Sequence, residues 1–153
     1  MEKRHEALIP LSHHHHHALV IALKLKRAGT EESKLTLEEI KEETLAFWKD
    51  GGEAHFREEE EVLLPAFAKV APVDTPDIYQ MLIDHVVIRA GMSQLEDREQ
   101  ELIPLMKVLG ERLTTHIRLE ERHIFPMIEK ALSETQKAQI APSFHANAPK
   151  NKQ

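Results

Sequence analysis

A block of eleven residues that occurs twice constrains the fold of this chain most strongly. One copy begins at His55 and the other at His116, and they share His, Arg at +2, Glu at +4, Glu at +5 and Pro at +10. In each copy the His and the +4 glutamate (Glu59 or Glu120) lie one helical turn apart, so they point from the same helix face. An imidazole and a carboxylate on one face make half of a metal site, and the repeat supplies two halves.

The composition predicts one soluble, mainly helical domain over residues 1–145, with a polar, disordered tail over 146–153. The 153 residues include 41% hydrophobic and 30% charged side chains, and only five glycines. Leu, Glu, Ala and Lys are abundant, which favours helix. The net charge of −6 disfavours nucleic acid as a partner. The absence of cysteine excludes disulfides and thiolate metal sites.

The apolar segments are all short. None approaches the roughly 20 residues that a membrane helix needs. The opening residues, Met-Glu-Lys-Arg-His-Glu, lack the apolar stretch of a signal peptide. We therefore expect a cytoplasmic protein without a membrane partner.

The apolar periodicity predicts an all-α fold, an up-down-up-down four-helix bundle followed by a short fifth helix. Residues 1–11 are expected to form a leader, with Pro10 stopping any earlier helix. The predicted helices cover 12–28, 37–69, 76–95, 99–131 and a stretch from 134 that ends before Pro142.

Capping residues predict where these helices start. Ser12 is the expected N-cap of the first helix, and Thr36 opens the second with a capping box. Thr75 precedes a proline suited to the first helical position, and Ser133 can cap the fifth helix. The pair Gly51–Gly52 marks a bend inside the second helix.

The first and third helices each offer a histidine on the predicted core face. His85 lies beside the apolar stripe of the third helix and needs a hydrogen-bonding or metal partner there. In the first helix, counting by turns along the core face defined by Ala18 and Ala22 leads to His15 within the run of five histidines. His16, which would share a face with Leu19, is the alternative.

The candidate ligand set combines four imidazoles with two carboxylates, enough for two ions with open coordination positions. Such donors suit Fe, Mn or Zn, whereas Mg and Ca prefer oxygen ligands alone. A single His-x-x-x-Glu is usually a surface pair, but its duplication beside further core histidines favours metal binding. The candidate ligands are His15, His55, Glu59, His85, His116 and Glu120.

The sequence around these residues resembles the hemerythrin-like family, specifically the bacterial His-His-Glu (HHE) cation-binding type. The resemblance covers about residues 8–132 and includes Asp84-His85, both repeat blocks and the prolines that end them. It implies that the six residues hold a non-haem di-iron centre, two Fe ions with an oxo or hydroxo bridge. Zn and Mn remain alternative metals.

The third helix departs from the oxygen-carrying hemerythrins, which place two histidines there one turn apart and use an aspartate on the fourth helix. Here Arg89 stands four residues after His85, and the fourth helix carries Glu120. One iron therefore lacks an imidazole, which argues against reversible oxygen storage. His123 or a second histidine of the run is a candidate replacement.

Three classes of function follow. The first is a protein that binds or senses O₂, peroxide, nitric oxide or iron, with a small diatomic or peroxide ligand as its partner. The second is a di-iron enzyme of the peroxidase, nitric oxide reductase or oxidase type. A ferritin-like oxidase site is disfavoured because Leu82 stands where the third helix would need Glu. The third is a metal-dependent regulatory module whose protein partner the sequence does not identify.

Overall fold

Helices form all the regular structure of residues 3–146, the part of the chain that the computed structural model describes. A single 3₁₀ turn, Glu6–Leu8, precedes five helical runs in this part of the chain. The predicted tail lies outside the described residues except for Ala146, the last residue of the final helix. The runs are α1 (Ile9–Arg27), α2 (37–68), α3 (Pro76–Asp97), α4 (102–131) and α5 (Glu134–Ala146).

Wide π-helical turns interrupt α2 and α4. The segments Trp48–Gly52 and Glu59–Leu63 are π-helical in α2, and Glu120–Ile124 is π-helical in α4. The first coincides with the bend predicted at Gly51–Gly52. The other two begin at the +4 glutamate of each repeat and precede the shared proline. A proline ring clashes with the carbonyl of a regular helix and donates no hydrogen bond, and the wider turn accommodates both defects.

The predicted caps of α2 and α3 are confirmed, but that of α1 is wrong. Thr36 forms a complete capping box with Glu39, and the Thr75 side chain accepts a hydrogen bond from the backbone N–H of Ile78. The first helix instead begins at Ile9, because a proline in the first turn has no intrahelical bond to lose. Ser12 lies inside α1.

Two other predicted boundaries move. Helix α4 begins at Leu102, three residues later than predicted, because Glu101 adopts a left-handed conformation with φ of 57°. The last helix was expected to stop before Pro142, yet α5 continues through it. Phe144 explains this difference, because its side chain is buried and its burial offsets part of the cost of an internal proline.

The buried side chains form two apolar clusters. The apolar stripes of the helices predict Leu82 and Leu105 among the core positions. Most of these positions are buried, but Leu82 is 37% exposed and lies on the outer side of α3 with Tyr79 and Val86. Leu105 is only partly buried. Cluster I includes Leu25 of α1, Phe47 of α2, Ile88 of α3 and Ile117 of α4. Cluster II includes Leu11 of α1, Leu63 of α2, Met81 of α3 and Ile124 of α4.

Gly110 allows the close approach of α4 to α1. A Cβ atom at this position would lie 2.8 Å from the carbonyl oxygen of Ala22, and a backbone atom cannot easily move away. We expect Gly110→Ala to lower the free energy of unfolding by about 1–3 kcal/mol, despite the better helix propensity of alanine. Urea denaturation measures this change. Gly91→Ala is the matched control, because its Cβ would meet only the movable end of Leu109; an equal loss in both variants would contradict the argument.

Within the described residues, no helix combines the length and the apolar character that crossing a membrane requires.

Candidate metal centre

The structure brings all six candidate ligands together between the two apolar clusters. All six are buried, and both glutamates are completely shielded from solvent. In the first helix it is His15 that enters this site, whereas His16 is exposed. The side chains form two groups of four, and within each group the candidate ligand atoms lie within 4.8 Å of one another. Both groups contain Glu59 and Glu120.

One half of the centre is built around His15 and His55. The Nε2 atom of His15 lies 2.9 Å from Oε1 of Glu120. The Nε2 atom of His55 lies 2.8 Å from Oε2 of Glu59. Each imidazole therefore turns its Nε2 atom towards a carboxylate oxygen from the repeat.

The other half is built in the same way around His85 and His116. The Nε2 atom of His85 lies 3.0 Å from Oε1 of Glu59. The Nε2 atom of His116 lies 2.9 Å from Oε2 of Glu120. Each glutamate thus presents one oxygen to each half, which is the arrangement needed to bridge two ions.

Three buried atoms of this cluster show that the arrangement suits cations. Within the described residues, Oε1 of Glu59, Oε1 of Glu120 and Nε2 of His116 have no hydrogen-bond partner. Their nearest polar neighbours lie at hydrogen-bonding distance, but the direction of each contact does not suit a hydrogen bond. Leaving such atoms unpaired is costly, and metal ions between them would satisfy them. The mixed nitrogen and oxygen donors fit iron, manganese or zinc.

Three further carboxylates, which we call the outer layer, contact the outer (Nδ1) nitrogens of three of the four histidines. The Nδ1 atom of His15 lies 2.6 Å from Oε2 of Glu121, which also accepts a hydrogen bond from Ser12. The Nδ1 atom of His85 lies 2.6 Å from Oε2 of Glu60. Such partners hold an imidazole in the orientation and tautomer that binds metal.

The third of these carboxylates is Asp84, whose Oδ2 atom lies 3.1 Å from Nδ1 of His116. Sequence reasoning missed the role of all three residues. For Glu60 and Glu121 the signal was present, because they are the +5 glutamates of the two repeats. Asp84 stands directly before His85 in the sequence, yet it serves a histidine on α4.

Arg89, predicted to mark a missing ligand, takes part in this outer layer. Its guanidinium makes two hydrogen bonds to Glu60, of 2.9 and 3.2 Å. It also lies 5.7 Å from the centre of the Phe56 ring, which in turn stacks on His85. Arg89 therefore holds the carboxylate that holds His85. His123, the other candidate replacement, is exposed.

The carboxylates keep the histidines protonated when no metal is bound. Burial alone would lower the pKa of His15, but the nearby carboxylates of Glu120 and Glu121 outweigh it and raise the pKa to about 10. Burial also lowers the pKa of His85, but the carboxylates of Glu120 and Glu59 outweigh this effect and raise the pKa to about 11. Burial also opposes the rise at His116, where the charge of Glu120 raises the pKa to about 9.

Metal binding should therefore release protons. At pH 7 these three imidazoles are cationic, and each must lose its Nε2 proton before it can bind a metal. We expect at least about three protons per loaded centre, because the pKa of His55 is raised as well. Four ordinary histidines with a pKa near 6.5 would together release only about one. Because the folded pKa values are raised, affinity should fall as the pH drops below about 11 and fall most steeply below about 9. Calorimetric titration with Zn²⁺ at pH 7 in buffers of different ionisation enthalpy measures the number, and release of about one proton or fewer would contradict it.

Glu60 provides a test of the outer layer. We expect Glu60→Gln to weaken metal binding by about 10- to 100-fold, because the amide is a weaker partner for both His85 and Arg89. The matched control is Glu61→Gln, which alters an exposed neighbour that lies 3.6 Å from exposed Arg57. Competition with a chelator of known affinity measures both, and equal affinities for the two variants would contradict the role of Glu60.

Comparison with known proteins agrees with this geometry. A family model described as the hemerythrin HHE cation binding domain matches residues 7–128. Comparison with curated proteins and with solved structures gave no match. The matched range is most of the chain and contains all six residues of the buried cluster. The chain therefore belongs to the hemerythrin HHE cation-binding domain family, as the resemblance in its sequence indicated.

Proposed function

We propose that this chain is a non-haem di-iron protein that binds or senses a small ligand such as O₂, peroxide or nitric oxide, or iron itself. The observation that carries the proposal is the pair of four-residue groups that share Glu59 and Glu120. His15 and His55 would hold one ion, and His85 and His116 the other. When bound, iron supplies open coordination positions and a change of oxidation state.

A small apolar cavity beside the cluster supports a small ligand. Its volume is about 20 Å³, and its lining includes His55, His116, Phe47 and Trp48. That volume holds about one water-sized molecule. The size suits a diatomic ligand and argues against a large organic substrate at this point.

The proposal also includes an up-down-up-down bundle, and the two apolar clusters support that order. In α1 and α3 the residues of cluster II come before the histidine, and those of cluster I follow it. In α2 and α4 the residues of cluster I come before the +4 glutamate, Glu59 or Glu120, and those of cluster II follow it. Successive helices therefore pass the centre in opposite directions.

The test begins with protein isolated without a nickel column, because the run of five histidines would retain nickel. Metal is removed with a chelator, ferrous iron is added anaerobically, and iron per chain is measured after desalting. Two irons per chain and new near-ultraviolet absorption on exposure to air are expected. Fewer than one iron per chain with the helical circular dichroism intact would contradict the proposal.

The same reconstituted protein distinguishes binding from catalysis. A binding or sensing protein consumes about one equivalent of peroxide or nitric oxide per centre and then stops. Continued turnover that Glu59→Gln abolishes would instead place the chain among di-iron enzymes of the peroxidase or nitric oxide reductase type.

A further inference from the structure

Four of the five consecutive histidines have no part in the proposed centre. His13, His14, His16 and His17 line a cavity of about 390 Å³ that also reaches His55. They belong to α1 itself, in the turns around buried His15. Imidazoles therefore line the space between solvent and the inner cluster.

Three of these residues, His13, His16 and His17, stand at positions i, i+3 and i+4 of α1, so they share one face of the helix. His13 and His17 lie one turn apart on α1, the spacing at which two helical histidines can bind one metal. The rings of His13 and His16 have their centroids 6.2 Å apart. Two imidazoles on one ion, with metal–nitrogen bonds near 2.1 Å, have centroids roughly 4.5–6.5 Å apart. All three are exposed, so small rotations of their rings are free.

His14 differs from the other three. It is only partly exposed, and its ring stacks on Phe47 at 5.1 Å and on His55 at 4.9 Å. Burial, followed by the charge of His55, lowers the pKa of His14 to about 3. His14 thus forms the wall between the exposed histidines and the inner centre.

We propose that His13, His16 and His17 form a second, outer binding site for a divalent transition-metal ion such as Zn²⁺, Co²⁺ or Ni²⁺. Imidazole donors select such ions over Mg²⁺ and Ca²⁺. The three proposed ligands include no carboxylate, whereas the inner centre has two. The outer ion is therefore held more weakly and exchanges with solvent. It sits at the mouth of the cavity that leads to His55.

The test is a calorimetric titration of the untagged, metal-free chain with Zn²⁺. The wild-type chain should bind two ions tightly and a third more weakly. The variant His13→Ala/His16→Ala/His17→Ala should lose the weak class and keep the tight one. His123→Ala removes an exposed histidine outside the cavity and should keep both classes. Circular dichroism checks that each variant is folded.

Three other results of these titrations would overturn the outer site. A wild-type chain without a third ion, or a triple variant that still binds it, would overturn the outer site. Loss of both classes in the folded triple variant would also overturn it, because the sites would not be separate. Glu120→Gln keeps the two proposals apart: it should lose the tight class and retain the weak one. If the wild-type chain instead binds only a weak ion, and the triple variant loses it, the outer site is supported and the proposed di-iron centre is contradicted.

Discussion

Replacing Glu120 with glutamine should empty both halves of the centre, not only one. Its two carboxylate oxygens face different histidines, His15 at 2.9 Å and His116 at 2.9 Å. Glutamine has nearly the same shape as glutamate but no charge. Its NH₂ group replaces one of the two oxygens, and the repulsion between the two cations is no longer offset by a negative charge. We expect the affinity for both tightly bound ions to fall by more than about 100-fold, beyond the usual effect of an outer-layer change. Metal analysis after dialysis against a weak chelator measures the loss.

Two other glutamates on α4 serve as controls for this variant. Glu111 is exposed, and Glu111→Gln should keep two tightly bound ions per chain. Glu121 contacts the outer nitrogen of His15 and lies outside the two four-residue groups, so Glu121→Gln should show an intermediate loss. If the Glu120→Gln protein still retained two tight ions, the shared-carboxylate centre would be wrong.

Removing the metal from the wild-type chain should lower its thermal stability strongly. An ion present at about 1,000 times its dissociation constant stabilises the fold by about 4.1 kcal/mol. For a chain of this size each kcal/mol corresponds to about 2–4 °C, so loading one site raises the midpoint by roughly 8–16 °C. Differential scanning calorimetry of metal-free and loaded protein measures the difference.

The Glu120→Gln variant is again the informative comparison. Because it lacks the tight sites, adding metal should change its midpoint little. A wild-type midpoint that does not respond to metal would mean that the buried cluster is satisfied without ions, against the unpaired atoms of Glu59, Glu120 and His116.

The placement of the six candidate ligands follows from local rules, which is why the sequence predicted that they would come together. A His and a Glu four residues apart share a helix face in any helix, and the repeat doubles that constraint. The choice of His15 rested on counting helical turns along the core face that Ala18 and Ala22 define in the same helix. None of these inferences needed knowledge of how one helix packs on another.

The repeat marks Glu60 and Glu121, but the partners of the outer-layer residues could not be predicted in this way, because these contacts join helices that are distant in the chain. Glu121 reaches His15 across 106 positions, and Glu60 reaches His85 across 25. Arg89 stands where an oxygen carrier has a second histidine, and nothing near it in the sequence shows that its partner is Glu60 on α2. The continuation of α5 through Pro142 likewise depends on the tertiary burial of Phe144, which outweighs a local rule.

The wide turns at Glu59 and Glu120 determine how α2 and α4 would respond to the deletion of one residue. A π-helical turn holds one more residue than an α-helical turn. Deleting one residue within 59–63 or 120–124 would return the helix to a regular period and keep the apolar faces on either side in phase. It would also leave room for only one of the two adjacent glutamates. The bundle should therefore survive such a deletion as a folded protein, while the centre would lose either a bridging carboxylate or the group that orients a histidine.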